Sequence, residues 1–310
     1  MRARESGPQL SESTPAQSTQ ISALRTWFQR ALLVALSIAP INANAEEKPS
    51  PALVPHAPKG TLILAGGGRN EAPIRKAFLD ALPRNEENIQ ATLIPTGTAD
   101  EDIPLEVKVT QTHWKIDGSP ITWSVLHTRN RQTAENPDFA QTLERTHGVW
   151  MSGGKQERLA IYSETVTAQK IRDVLRRGGV VGGTSSGASI TSSIAIMEGK
   201  PPKMGRGLGL TPHVIDQHFT QRNRQERLLE ALRMVEGAGG IGIDENTALV
   251  IRGGETAEVI GIGNVYIYFL NQEKPLILHP GETINFSTGK VVQGKKDNLI
   301  EDVQEVRKAN

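Results

Sequence analysis

Apolar residues in this chain fall in short unbroken runs separated by segments of helical spacing. Thr61-Leu62-Ile63-Leu64-Ala65 is such a run, ending in Gly66-Gly67-Gly68, as a strand buried on both faces should look. Behind Pro73, which a first helical turn tolerates, Ile74, Ala77, Phe78 and Ala81 share one helical face, and Pro83 stops it. Ala91-Thr92-Leu93-Ile94, Ile121 to Leu126 and Gly148-Val149-Trp150-Met151 read as further strands, the last ending in Gly153-Gly154. Ala168, Ile171, Val174 and Leu175 form a helical stripe closed by Gly178-Gly179, which feeds the strand Val180-Val181-Gly182. This β-α alternation predicts a three-layer α/β sandwich with a mostly parallel sheet. From about Gly240 the pattern changes to short strands with glycine turns, which predicts a C-terminal antiparallel β extension of the same domain.

The N-terminal segment follows a different rule. Arg25 and Arg30 precede the apolar run Ala31 to Ala39, followed by Pro40 and the small-x-small triplet Ala43-Asn44-Ala45 before Glu46. A basic flank, a short apolar core and an A-x-A exit predict a signal peptide over residues 1–45, and so a secreted or periplasmic protein. Residues 46–59 carry Pro49, Pro51, Pro55 and Pro58 and read as a linker, leaving 60–310 as the folded domain. No second segment is long and apolar enough to span a bilayer, so no membrane association is expected once the signal is removed.

Charge and composition narrow the chemistry. Lys+Arg 35 and Asp+Glu 34 nearly cancel, so no global field favours nucleic acid. The absence of cysteine excludes disulfides, thiolate zinc sites and a cysteine nucleophile. Gly66-Gly67-Gly68-Arg69-Asn70-Glu71 follows a strand as a dinucleotide loop would, but Glu71 stands where the third glycine belongs, and no cofactor or metal is expected.

In Val180 to Ser189 a strand runs into a serine closely flanked by glycines, and a helix pattern follows: the layout of a nucleophile elbow. Ser185 sits at the turn itself, ahead of its rivals Ser186 and Ser189. A serine hydroxyl needs a base, and the chain offers 7 histidines. His218 stands out because the short strand Val214-Ile215 delivers Asp216, Gln217 and His218 to its carboxyl end, where open α/β sheets place their sites. A helix follows, with Leu228, Leu232 and Val235 inward and Arg224 and Arg227 on another face. With Arg222 these guanidiniums suit an anionic, carboxylate-bearing ligand. For the acid that orients the imidazole, Glu245 is preferred, with Asp244 a close rival and Glu198 a further candidate. The N–H groups of Gly154 and Ser186 are candidates for an oxyanion hole, and Gln156 for a substrate hydrogen bond.

Together the blocks Gly153-Gly154-Lys155-Gln156, Gly183-Thr184-Ser185-Ser186-Gly187-Ala188, Asp216-Gln217-His218-Phe219 with Arg222, Arg224 and Arg227, and Gly242-Ile243-Asp244-Glu245 resemble the cyanophycinases of the S51 serine peptidases. The resemblance covers most of residues 60–270. It implies a fold like class I glutamine amidotransferases, a homodimer, and a Ser-His-Glu triad at Ser185, His218 and Glu245. It also implies hydrolysis of cyanophycin, a poly-aspartate carrying arginine on each β-carboxyl, to β-Asp-Arg dipeptides. Gln156, Asp216, Gln217, Arg222, Arg224 and Arg227 fall on positions associated with the substrate pocket. Two departures are visible: Ser186 stands where the family usually has alanine, and the stretch from Ser185 to His218 is shorter than usual. The rival readings are an aspartyl dipeptidase resembling peptidase E, acting on smaller β-aspartyl or aspartyl peptides, and a non-catalytic exported binding protein.

Overall fold

The computed structural model describes residues 59–69, 72–84, 88–115, 121–270, 272–286 and 288–292, all within one structural unit. The expected signal peptide and nearly all of the expected linker lie outside the described residues. Strands β1 (Thr61–Ala65), β2 (Ile89–Ile94), β3 (Ile121–Val125), β4 (Gly148–Met151) and β5 (Val180–Thr184) form the parallel part of the main sheet, in the order β1-β5-β4-β2-β3. Beyond β1 the same sheet continues antiparallel through β10 (Thr247–Arg252), β11 (Thr256–Gly261), β14 (Thr283–Asn285) and β15 (Lys290–Val292).

Helices cover both faces, because residues of β1, β2, β4 and β5 alternate in direction while nearly all of them are buried. On one face Ile63, Ala65, Leu93, Trp150 and Val180 pack against Ile74 and Phe78 of α1 (Ala72–Asp80) and against Trp114, which follows α2 (Ile103–His113). The other face places Leu62, Leu64, Val149, Met151 and Val181 against Ala168, Ile171, Val174 and Leu175. Those four residues are the predicted stripe, carried on α5 (Val166–Arg176), whose start is capped by the Thr165 hydroxyl accepting from Ala168 N. Two short helices, α3 (Arg131–Glu135) and α4 (Gln156–Leu159), add Ala134 and Leu159 to the same apolar cluster as α5. Among the described residues no helix is long and apolar enough to cross a membrane.

Two expectations change. The strand that ends at His218, β8 (Val214–Gln217), is not part of the main sheet. It pairs in parallel with β9 (Gly240–Ile243), which joins β12 (Val265–Tyr268) and β13 (Leu276–Leu278) in a separate four-stranded sheet. The C-terminal strands are therefore divided between two sheets. A hairpin of β6 (Ile194–Glu198) and β7 (Lys203–Arg206) was not anticipated. Apolar runs report burial and not partnership, so they cannot assign strands to sheets.

The topology also shows why three distant segments meet. β5 runs parallel beside β1, so the residue after β5 arrives at the carboxyl end of β1; β10 runs antiparallel on the other side, so the residues before it arrive at the same end. The second sheet is fastened there by His218 N donating to Gly66 O at 2.9 Å and Asn246 N donating to Gly67 O at 2.6 Å.

Candidate active site

Ser185 occupies the turn between β5 and the single-turn helix α6 (Ser186–Ser189), with φ 54° and ψ −117°. A non-glycine residue held there costs about 1–3 kcal/mol and persists only where its surroundings enforce it. Here Ser185 N donates to Ala65 O at 2.9 Å. Gly183 and Gly187, two residues to either side, permit the sharp turn: a β-carbon on Gly183 would lie 2.3 Å from Gly187 O, and one on Gly187 would lie 2.2 Å from Met151 O. The flanking glycines are therefore a steric requirement of the elbow.

The turn presents Ser185 Oγ to His218 Nε2 at 2.7 Å, and His218 Nδ1 lies 2.6 Å from Glu245 Oε1. An ionised carboxylate only accepts, so Nδ1 carries the proton and Nε2 is left to accept from the serine hydroxyl. His218 is nearly buried and itself has φ 49°. Burial pushes the imidazole pKa below its ordinary value; the Glu245 hydrogen bond and charge oppose this, and the cations Arg222 and Arg224 add to it. The ring is thus kept neutral at neutral pH, the state that can take a proton.

The three acids separate clearly. Glu245 faces the imidazole, and its own N–H donates to Gln221 Oε1 at 2.9 Å. Its neighbour Asp244 points the other way and accepts from Thr220 N at 3.0 Å, Thr220 Oγ1 at 2.7 Å and Asn264 N at 3.1 Å, which ties loops together. Glu198, on β6, is exposed and paired with Lys203, so it is not the partner of His218.

The arginines also divide, against the reading that sets them together on a ligand. Asp216, fully buried, takes both Nε and Nη2 of Arg227, so these two charges satisfy each other. Arg224 lies 3.5 Å from Asp216 and donates to Gln217 O at 2.7 Å; burial lowers its pKa to about 10, so it stays charged at neutral pH. It precedes α7 (Gln225–Met234) rather than riding on it, because the chain turns between His218 and that helix. Arg222, in that turn, is exposed. Gln217 is buried with Oε1 lacking a hydrogen-bond partner, and Gln156 opens α4, also buried.

Gly153 comes within 3.4 Å of Ser185 Cβ when given a β-carbon, so the Gly153-Gly154 turn lies beside the serine. Neither Gly154 N nor Ser186 N donates to the backbone of another described residue. Sequence reasoning missed two contributors. The glycine triplet set aside as a failed dinucleotide loop receives the His218 ring, and Gln221 holds the Glu245 backbone. A run of three glycines closing a buried strand was a usable sign of close approach; nothing in the sequence marked Gln221. Among the described residues no group of three His, Asp or Glu could hold a metal ion.

The arrangement can draw a proton from Ser185, which is what a serine nucleophile in acyl transfer requires. Comparison with known proteins places the chain in a family. A cyanophycinase of Geminocystis herdmanii is 40% identical over 154 residues, 46% of this chain and 57% of that protein. A cyanophycinase of Trichormus variabilis is 31% identical over 225 residues, 69% of this chain and 74% of that protein. Over the first curated relatives the match spans only about half of their length, 57% and 48%. A solved peptidase from an acI-B1 Actinobacterium shares the fold, with TM-score 0.61 over 76% of this chain and 99% of that one at 23% identity. The profile of peptidase family S51 matches residues 62–259, a span that contains Ser185, His218 and Glu245, and the chain belongs to that family.

Proposed function

We propose that this protein is a serine-type peptidase that hydrolyses cyanophycin to β-Asp-Arg dipeptides through an acyl-enzyme on Ser185. The observation that carries the proposal is the continuous relay Ser185 Oγ, His218 and Glu245, closed by hydrogen bonds of 2.7 and 2.6 Å. His218 takes the Ser185 proton as the oxygen attacks the scissile carbonyl; the N–H groups of Gly154 and Ser186 hold the oxyanion; His218 returns the proton to the leaving amine. Water, deprotonated by the same imidazole, then releases the acyl group. Glu245 holds the ring in the required tautomer. Arg222, the exposed member of the arginine set, is the group we assign to a substrate carboxylate, and Gln156 and Gln217 to substrate polar groups. The likeness to curated cyanophycinases supports the polymer as substrate.

The deciding experiment incubates the protein with cyanophycin and, separately, with Asp-X dipeptides, and identifies products by mass. β-Asp-Arg should appear with the wild type and fall by about four orders of magnitude with Ser185→Ala. Cleavage of Asp-X alone would replace the polymer reading with an aspartyl dipeptidase. No hydrolysis, together with no labelling of Ser185 by a fluorophosphonate, would leave a binding protein.

The basic flank, apolar run and Ala43-Asn44-Ala45 exit support export to the periplasm or medium, and the family resemblance supports a homodimer. N-terminal sequencing of protein recovered from those fractions, which should begin at Glu46, and light scattering of the purified protein test the two points.

A further inference from the structure

Arg129 lies outside the relay, in the segment that follows β3, yet its guanidinium gathers the acceptors of one loop. Nη1 donates to Thr96 O, Nη2 to Thr98 O at 2.7 Å, and Nε and Nη2 to Asp100 Oδ1 at 2.9 and 2.5 Å. That loop, the exit from β2, bears on its other side against the turn next to Ser185. Gly97 O accepts from Lys155 N at 3.0 Å and from Arg158 Nη1 at 3.4 Å, and Thr98 Oγ1 donates to Gly153 O at 3.3 Å. Contact is close enough that a β-carbon on Gly154, whose φ is 126°, would lie 2.0 Å from Gly97 O. Gly153 faces Ser185 in turn. The loop is therefore held between one guanidinium and the Gly153-Gly154 turn.

From this geometry we propose that Arg129 is a positioning residue for the oxyanion-binding turn, acting through the loop Thr96–Asp100. The proposal rests on the peptidase reading above for its catalytic consequence. A planar fork suits the task, since one group reaches two carbonyls and a carboxylate at once, which an ammonium cannot do with the same geometry. The effect belongs on kcat, because oxyanion contacts form in the transition state, and a donor displaced by about 1 Å costs up to ~100-fold.

The test compares wild type, Arg129→Ala and Arg129→Lys by steady-state kinetics and by amide hydrogen exchange of the peptide containing residues 152–158. For Arg129→Ala we expect kcat to fall ~10–100-fold with KM within about threefold, and the amide of Lys155 to exchange faster than in wild type. Arg129→Lys should recover part of both losses, and added guanidinium should partly rescue the alanine variant. Unchanged kcat, or a change confined to KM, would overturn the proposal, as would loss of the folded state in both variants. If the wild type hydrolyses neither cyanophycin nor Asp-X dipeptides, the peptidase reading fails on its own; unchanged exchange at Lys155 in the alanine variant would then separately overturn the clamp.

Discussion

Gly67 and His218 fit each other so closely that a β-carbon at position 67 would lie 2.4 Å from the imidazole Cε1 and 2.8 Å from Nε2. The ring rests on bare backbone at the carboxyl end of β1, and Gly67 has φ 91°, a conformation that side chains disfavour. The His218 imidazole and this glycine are two halves of one contact.

Gly67→Ala should therefore displace His218 from Ser185. The expected outcome is loss of turnover by at least ~100-fold, given what a 1 Å misplacement costs, with the chain still folded by circular dichroism. Wild-type turnover would mean that the ring is not held where it is described.

The pH profile of kcat/KM tests the electrostatics of His218. The neutral imidazole is the working form, so activity rises as pH passes upward through its pKa, which burial has lowered below the ordinary value. The acid limb should lie below about pH 6.5. Glu245 raises this pKa and Arg222 lowers it. Glu245→Gln should thus move the limb to still lower pH while reducing the plateau by up to ~10⁴-fold through loss of the oriented tautomer. Arg222→Ala should move it upward. Shifts of opposite sign would refute the assignment.

Asp216 and Arg227 should behave as a buried pair. Asp216→Asn leaves the Arg227 guanidinium buried without its counter-charge, which costs about 3–5 kcal/mol, measurable as a lower midpoint in urea denaturation. Replacing both, Asp216→Asn with Arg227→Met, should recover much of that loss. If Asp216→Asn leaves stability unchanged and only weakens substrate binding, the pair serves the ligand and not the fold.

The Ser186 hydroxyl is buried with no hydrogen-bond partner. The group assigned to the oxyanion is its backbone N–H, so Ser186→Ala should keep activity within about twofold. Removing an unsatisfied buried hydroxyl should leave stability equal or up to about 1 kcal/mol higher. A ~100-fold fall in kcat would instead give the hydroxyl a part in the chemistry.

The sequence by itself determined the three-layer α/β class, because alternating strand and helix periodicities record which faces must be buried. It also marked Ser185 as a candidate, a serine at a strand end between Gly183 and Gly187, and His218, singled out by its neighbours. Tertiary structure alone decided the rest. That β8 belongs to a second sheet, that Glu245 and not Asp244 or Glu198 meets the imidazole, and that Arg227 turns inward to Asp216 all depend on which segments become neighbours across long separations in the chain. Periodicity encodes burial and local conformation. The direction of a single side chain, and the loop that Arg129 holds, are set only when non-local strands pair and close-packing removes the alternatives.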